Sequence, residues 1–230
     1  MAREVLRTKT FVSDAANFIL TRARESSDER QQFRMALSGG NTPRSVYAEM
    51  AKRDLSWKKF VFTFGDERCV PPENNESNFR MANEALFRPA SVPGSSILRM
   101  RGEIEPVLAA KEYEAQLDVL AAKRGQKIYE HDLILLGLGD DGHTASLFPG
   151  TGALSETERR VVANYVPKLN SWRLTFTFPL IFAARAVCFL IGANKDPKLI
   201  ERIFSGEPAL PAARVDQNAK SVTWIIEQKS

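Results

Sequence analysis

Cysteine and histidine are scarce in this chain, with two of each among 230 residues. None stands at metal-ligand spacing, which argues against a structural zinc site. Cys69 and Cys188 lie far apart, each beside a valine in an apolar strand-like run, and read as buried free thiols rather than a disulfide framework. No apolar run is long enough to span a bilayer, and the opening MAREVLRTKTFVSDAANFIL lacks a continuous apolar segment followed by a small-residue cleavage site. A soluble, cytoplasmic protein with no membrane partner is expected. Dense Lys/Arg blocks are missing as well. The 32 basic and 28 acidic residues are spread along the chain for a net charge of +4, a balance that suits an anionic small molecule and leaves no footprint for nucleic acid. Without internal repeats or low-complexity segments, one domain over residues 1–230 is expected.

What is present is alternation. Apolar, β-branched or aromatic runs at Met35 to Leu37, Phe60 to Phe64, Leu133 to Leu138, Val187 to Ile191 and Val222 to Ile226 predict buried strands. Between them, helices are predicted over Ser13 to Arg24 with Ser13 as N-cap, Pro43 to Lys52, Ser77 to Phe87 capped by Ser77, Pro106 to Lys123 and Lys198 to Phe204. This pattern implies an α/β fold with a mainly parallel sheet, whose ligands gather outside the carboxyl ends of the strands.

Four segments could carry chemistry. In MALSGGNTPRS a strand ends in Ser38, Gly39 and Gly40, and Asn41 and Thr42 lead into Pro43, which suits the start of a helix. Glycine backbone, hydroxyls and free helix amides together make a phosphate cradle, or more plainly a βα turn capped by Thr42. It is not a Walker A loop, because the Gly-Lys-Ser/Thr ending is absent. In FVFTFGDERCVP an apolar strand runs into Asp66, Glu67 and Arg68; Asp66 could orient a base or a sugar hydroxyl, and Arg68 could fork onto a phosphate or carboxylate. The segment from Val166 to Lys198 offers Lys168, Arg173 and Lys195 as further cations around two strand-like runs.

The fourth, LILLGLGDDGHTASLFPG, satisfies the G-x-G-x-x-G spacing of a dinucleotide turn at Gly137, Gly139 and Gly142. Asp140 and Asp141 fill its variable positions, however, and would face an anionic pyrophosphate. No acid stands where the ribose needs one; that region reads RRVVANY. The stretch instead presents His143 at a strand's carboxyl end with Asp141 two positions before it. An imidazole is the side chain suited to general-base work near neutral pH, and a neighbouring carboxylate can fix its tautomer. His131, ahead of the same strand, is expected to be exposed and structural. Ser146 lies near His143, but no G-x-S-x-G elbow supports a nucleophilic serine.

Taken in order and spacing, LSGGNTP, FGDERCVP followed by SN, LLGLGDDGHTASLFP, PKLNSWRLTFTFPLI and GANK resemble the 6-phosphogluconolactonase family, over nearly the whole chain from Phe11 to Trp224. The resemblance implies a modified Rossmann-like fold shared with glucosamine-6-phosphate deaminases. It also implies hydrolysis of 6-phospho-D-glucono-1,5-lactone to 6-phosphogluconate, the second step of the oxidative pentose phosphate pathway. Deaminases carry an acidic residue a few positions after the histidine; here Thr144, Ala145, Ser146, Leu147 and Phe148 follow, and the next acid is Glu156. PKLNSW also departs from the family pattern, in which prolines are commoner between the Lys and the Arg.

The expected machinery is His143 activating water, Asp141 or Asp66 orienting it or the sugar hydroxyls, and Ser38, Gly39, Gly40, Asn41 and Thr42 holding phosphate with Arg68, Lys168, Arg173 or Lys195. The expected partner is a small sugar-phosphate lactone, handled by a monomer or weak homo-oligomer without cofactor or metal. The alternatives are a sugar-phosphate isomerase or deaminase, and a non-catalytic sugar-phosphate sensor.

Overall fold

The computed structural model describes residues 2–30 and 32–229. Strand β1 (Ala2–Thr8) is followed by α1 (Phe11–Arg30), β2 (Phe33–Leu37) and α2 (Asn41–Met50). Next come β3 (Phe60–Phe64), the short β4 (Asp66–Arg68), α3 (Asn78–Ala82), α4 (Pro106–Ala122) and β5 (Leu133–Leu136). A hairpin of β6 (Val161–Val166) and β7 (Ser171–Phe176) precedes α5 (Phe178–Ala183), β8 (Val187–Ile191), α6 (Pro197–Phe204), α7 (Pro211–Asn218) and β9 (Ser221–Glu227).

Six strands make an all-parallel sheet in the order β1-β9-β8-β5-β2-β3, flanked by helices in a Rossmann-like manner. Every residue of β2, β5 and β8 is buried, as a parallel sheet covered on both faces requires. The stacked rings of Phe189 and Trp224, register partners on β8 and β9, lie 3.9 Å apart in the core. From β2 the chain steps outward to β3 and then returns to β5 on the other side, so the strand order reverses between β2 and β5. Ligands of open α/β sheets bind at such a point, beyond the carboxyl ends of the strands. A second, antiparallel sheet of β4, β7 and β6 stands beside it and delivers further residues to the same edge.

The mainly parallel α/β layout agrees with the sequence reading, and several local expectations need correction. β5 stops at Leu136, which leaves Gly137 and Leu138 in the turn. α1 starts at Phe11, so Ser13 is inside its first turn and donates to Thr10 O rather than capping. α2 begins at Asn41 behind Gly40, with no side-chain cap from Thr42. Ser77 does cap α3, accepting from Arg80 N at 3.1 Å, and the helix continues through a π turn over Asn83–Phe87. Cys188 is buried as expected, whereas Cys69 is only half-buried. β1, β6 and α7 lie where no element was expected, because their residues alternate polar and apolar too irregularly to mark a buried run.

The largest correction concerns His131, which is fully buried. The segment before β5 does not skirt the surface. It is tied to β2 by Asp132, whose carboxylate takes both the backbone N–H and the forked guanidinium of buried Arg34 at 2.9–3.0 Å. That anchoring draws His131 under the sheet, between Tyr129 and Phe176.

Candidate active site

Two glycine-containing turns meet at the switch point. The first leaves β2 at Ser38. The Tyr47 hydroxyl, nearly two helical turns into α2, donates to Ser38 O and accepts from Ser38 N, both at 3.0 Å, and so clamps the turn onto its own helix. Burial raises the phenol's pKa far above the usual range, which keeps the hydroxyl neutral and able to serve both roles. Gly40 sits at φ +104°, a conformation side chains resist, and the first amides of α2 have no intrahelical acceptor. Ser38 Oγ is buried without a hydrogen-bond partner. Unpaired donors at a helix N-terminus form a ready anion cradle.

The second turn leaves β5. Gly139 N donates to His143 O at 2.9 Å and Gly142 N to Gly139 O at 3.0 Å, folding GLGDDGH into a tight loop. A methyl on Gly139 would stand 2.0 Å from the imidazole, and Gly142 combines φ +78° with Leu210 close behind it. These two glycines are therefore demanded by the placement of His143. Gly137 has open space around it, so the fingerprint spacing is only partly used.

His143 stacks on Phe148 with ring centroids 3.9 Å apart and gives its Nδ1 to Asp141 Oδ1 at 2.5 Å. A carboxylate there selects the tautomer with hydrogen on Nδ1 and leaves the Nε2 lone pair for the cleft. Nε2 has no protein partner among the described residues. Burial works against charge on Asp141, but the bonds from His143 and Lys168 outweigh it and hold its carboxyl down at about 2. Lys168 Nζ reaches Asp141 Oδ2 at 3.0 Å, and Lys195 Nζ reaches Asp140 Oδ1 at 2.6 Å.

Asp66 does not touch His143. Its carboxylate accepts from Ser146 Oγ at 2.7 Å and Asn78 Nδ2 at 3.2 Å, which holds it at the cleft wall as a fixed acceptor. That bond also occupies Ser146, a buried hydroxyl with no hydrogen bond to His143 among the described residues. Arg68 and Arg173 face each other as register partners on β4 and β7. Burial and the Arg68 charge push the Arg173 pKa down, the expected consequence of desolvating a cation beside another.

All of the residues singled out from the sequence line one cleft of about 480 Å³, namely the Ser38–Thr42 turn, Asp66, Arg68, Asp141, His143, Lys168, Arg173 and Lys195. Sequence reasoning missed Asn78, which the SN pair could have suggested, and Phe148, whose only signal was its place in the recognisable HTASLFP run. Asp140 was weighed only as a repulsive charge, and its bond to Lys195 depends on residues 55 apart. Among the described residues, no cluster of His, Cys, Asp and Glu could hold a metal ion, and no helix is long and apolar enough to cross a membrane.

The family model for glucosamine-6-phosphate isomerases/6-phosphogluconolactonase matches residues 7–224. The chain belongs to that family. Among curated relatives, the 6-phosphogluconolactonase of Synechocystis is 38% identical over 98% of this chain and 95% of its own length. That of Nostoc is 34% identical over 97% and 94%. Among solved structures, the 6-phosphogluconolactonase from Trypanosoma cruzi superposes with a TM-score of 0.84 at 30% identity, covering 99% of this chain and 96% of that one. The Trypanosoma brucei enzyme gives 0.85 at 27%, covering 98% and 95%. After His143 come Ser146, bonded to Asp66, and the ring of Phe148; Glu156, the next acid, accepts from the N–H groups of Glu158 and Arg159 outside the cleft.

Proposed function

We propose that this chain hydrolyses 6-phospho-D-glucono-1,5-lactone to 6-phosphogluconate, the second step of the oxidative pentose phosphate pathway. The observation that carries the reading is the Asp141–His143 pair, with Nε2 open to a cleft whose far wall is an anion cradle. A lactone is a cyclic ester, so its hydrolysis needs an activated water, stabilisation of the oxyanion and a proton for the departing ring oxygen. His143 Nε2 takes a proton from water as the water oxygen attacks C1. It returns that proton to the ring oxygen as the C1–O bond breaks. Asp141 keeps the imidazole in the required tautomer and stabilises its transient positive charge.

The phosphate is held by Ser38, the amides of the Gly39–Thr42 turn and the Arg68, Arg173 and Lys195 cations, while Asp66 accepts from sugar hydroxyls. Lys168 adds one more cation to the substrate-binding cleft. This reading takes residues 1–230 as one catalytic domain, working in the cytoplasm as a monomer or weak homo-oligomer. The absence of an acid close after His143 speaks against ring-opening deamination. The test is to follow lactone loss above the spontaneous rate with purified protein, and in parallel to incubate with glucosamine 6-phosphate and assay ammonia. Lactone loss at the spontaneous rate, or ammonia release, overturns the reading.

A further inference from the structure

We infer that Asn78 is a positioning residue that ties the Asp66 carboxylate to the phosphate turn and so sets the distance between the two ends of the bound sugar phosphate. The inference rests on the function proposed above. Asn78 is buried at the start of α3. Its Nδ2 donates to Asp66 O at 2.9 Å and Asp66 Oδ1 at 3.2 Å. Only the amide's NH₂ end can face two acceptors, so the carbonyl oxygen must point the other way. There it lies against Gly39: a methyl on that glycine would stand 1.9 Å from Asn78 Oδ1, 2.4 Å from Cγ and 2.7 Å from Nδ2. The backbone of α3 is itself pinned, because Glu67 accepts from Asn78 N at 2.7 Å and Phe79 N at 2.8 Å.

One side chain thus braces the turn after β2, through Gly39, against the start of β4, through Asp66. Gly39 has no left-handed backbone angle, so the nearest atoms in the way of a methyl are all from Asn78. This makes the coupling testable by a double-mutant cycle. Gly39→Ala alone should push Asn78 off Asp66 and lower kcat/KM at least about 10-fold, mainly through KM, and Asn78→Ala should do the same by releasing Asp66. Asn78→Ala removes the three atoms nearest to the added methyl, so in that background Gly39→Ala should cost less than about 2-fold more.

Wild-type protein is assayed first on the phosphorylated lactone; no activity there sinks the proposed function rather than the brace. With wild type active, additive losses, or an Asn78→Ala enzyme within about 2-fold of wild type, would overturn the brace. Should Asn78→Ala melt too low to assay, Asn78→Asp keeps the shape but sets a second carboxylate against Asp66. It is expected to raise KM about 10-fold or more with kcat less affected, and an unchanged KM overturns the inference equally.

Discussion

The chain's two histidines stand at opposite ends of β5 and meet opposite fates. His131 precedes the strand, fully buried, with Nε2 2.9 Å from the Thr63 hydroxyl. Thr63 sends its own proton to Met35 O at 3.3 Å, so the hydroxyl oxygen accepts from His131 Nε2–H and leaves Nδ1 as a bare, unpartnered acceptor. Burial, aided by the Arg34 charge, drops the His131 pKa to about 3. His143 follows the strand, keeps about a quarter of its side chain exposed, and has a carboxylate where His131 has nothing. Each ring is fixed in one tautomer. Only the second has both a carboxylate partner and an open nitrogen, the features that the proposed base requires and a packing residue does not.

The sharpest way to break the comparison is to exchange the consequences. His143→Ala should lower kcat about 10²- to 10⁴-fold, the usual worth of general-base assistance, with little change in melting temperature. A variant retaining near-full kcat in a quench-flow assay of lactone loss would remove His143 from the mechanism. Next in size is Gly139→Ala, whose methyl must displace the imidazole it would overlap at 2.0 Å. We expect kcat to fall about 10- to 100-fold while affinity for inorganic phosphate, read by calorimetry, stays within about 2-fold, because the phosphate turn is built from a different strand. Equal losses in both would mean that the two turns move as one body.

His131 should answer through stability instead. Its folded pKa lies below the unfolded value of about 6.5, so between there and about 3 the unfolded chain binds a proton that the native state refuses. The stabilisation is complete above pH 6.5 and drains as acid is added, by at most about 1.4 kcal/mol per pH unit from this one group. Urea midpoints measured from pH 7 to 5 should fall less steeply for His131→Gln than for wild type, with kcat per folded molecule unchanged. Identical pH slopes would show that His131 is not held neutral.

The contrast also marks what a sequence can disclose. Residues that protrude at strand ends were legible, since the turn after an apolar run announces both its location and its chemistry. The Ser38–Thr42 turn and His143 were singled out this way, and they line one cleft. His131 was misread because nothing local distinguishes a buried pre-strand loop from an exposed one. Its burial comes from the Arg34–Asp132 pair, formed between residues 98 apart. Asn78 was hidden for the same reason, its partners being a carboxylate on β4 and a glycine in the turn after β2. Irregular alternation concealed β1, β6 and α7, but none of them supplies one of the groups expected to touch substrate, so those omissions left the expected site residues untouched.

The smallest effect expected concerns Lys168, and it tests whether the His143 pair is self-sufficient. Lys168 Nζ binds Asp141 Oδ2, but its side chain is 69% exposed, and such pairs contribute about 0–1 kcal/mol. Asp141 Oδ1 reaches His143 without it, accepting also from the His143 backbone N–H at 3.2 Å. Lys168→Met should therefore leave kcat within about 2-fold, and raise KM about 3- to 5-fold by removing one cation from an anion-binding cleft. Because an exposed charge is screened by salt, that KM difference should shrink as ionic strength rises from 0.05 to about 0.5 M. A fall in kcat at constant KM would instead mean that Lys168 acts through Asp141 on the imidazole, and that the base at this end of β5 needs three groups rather than two.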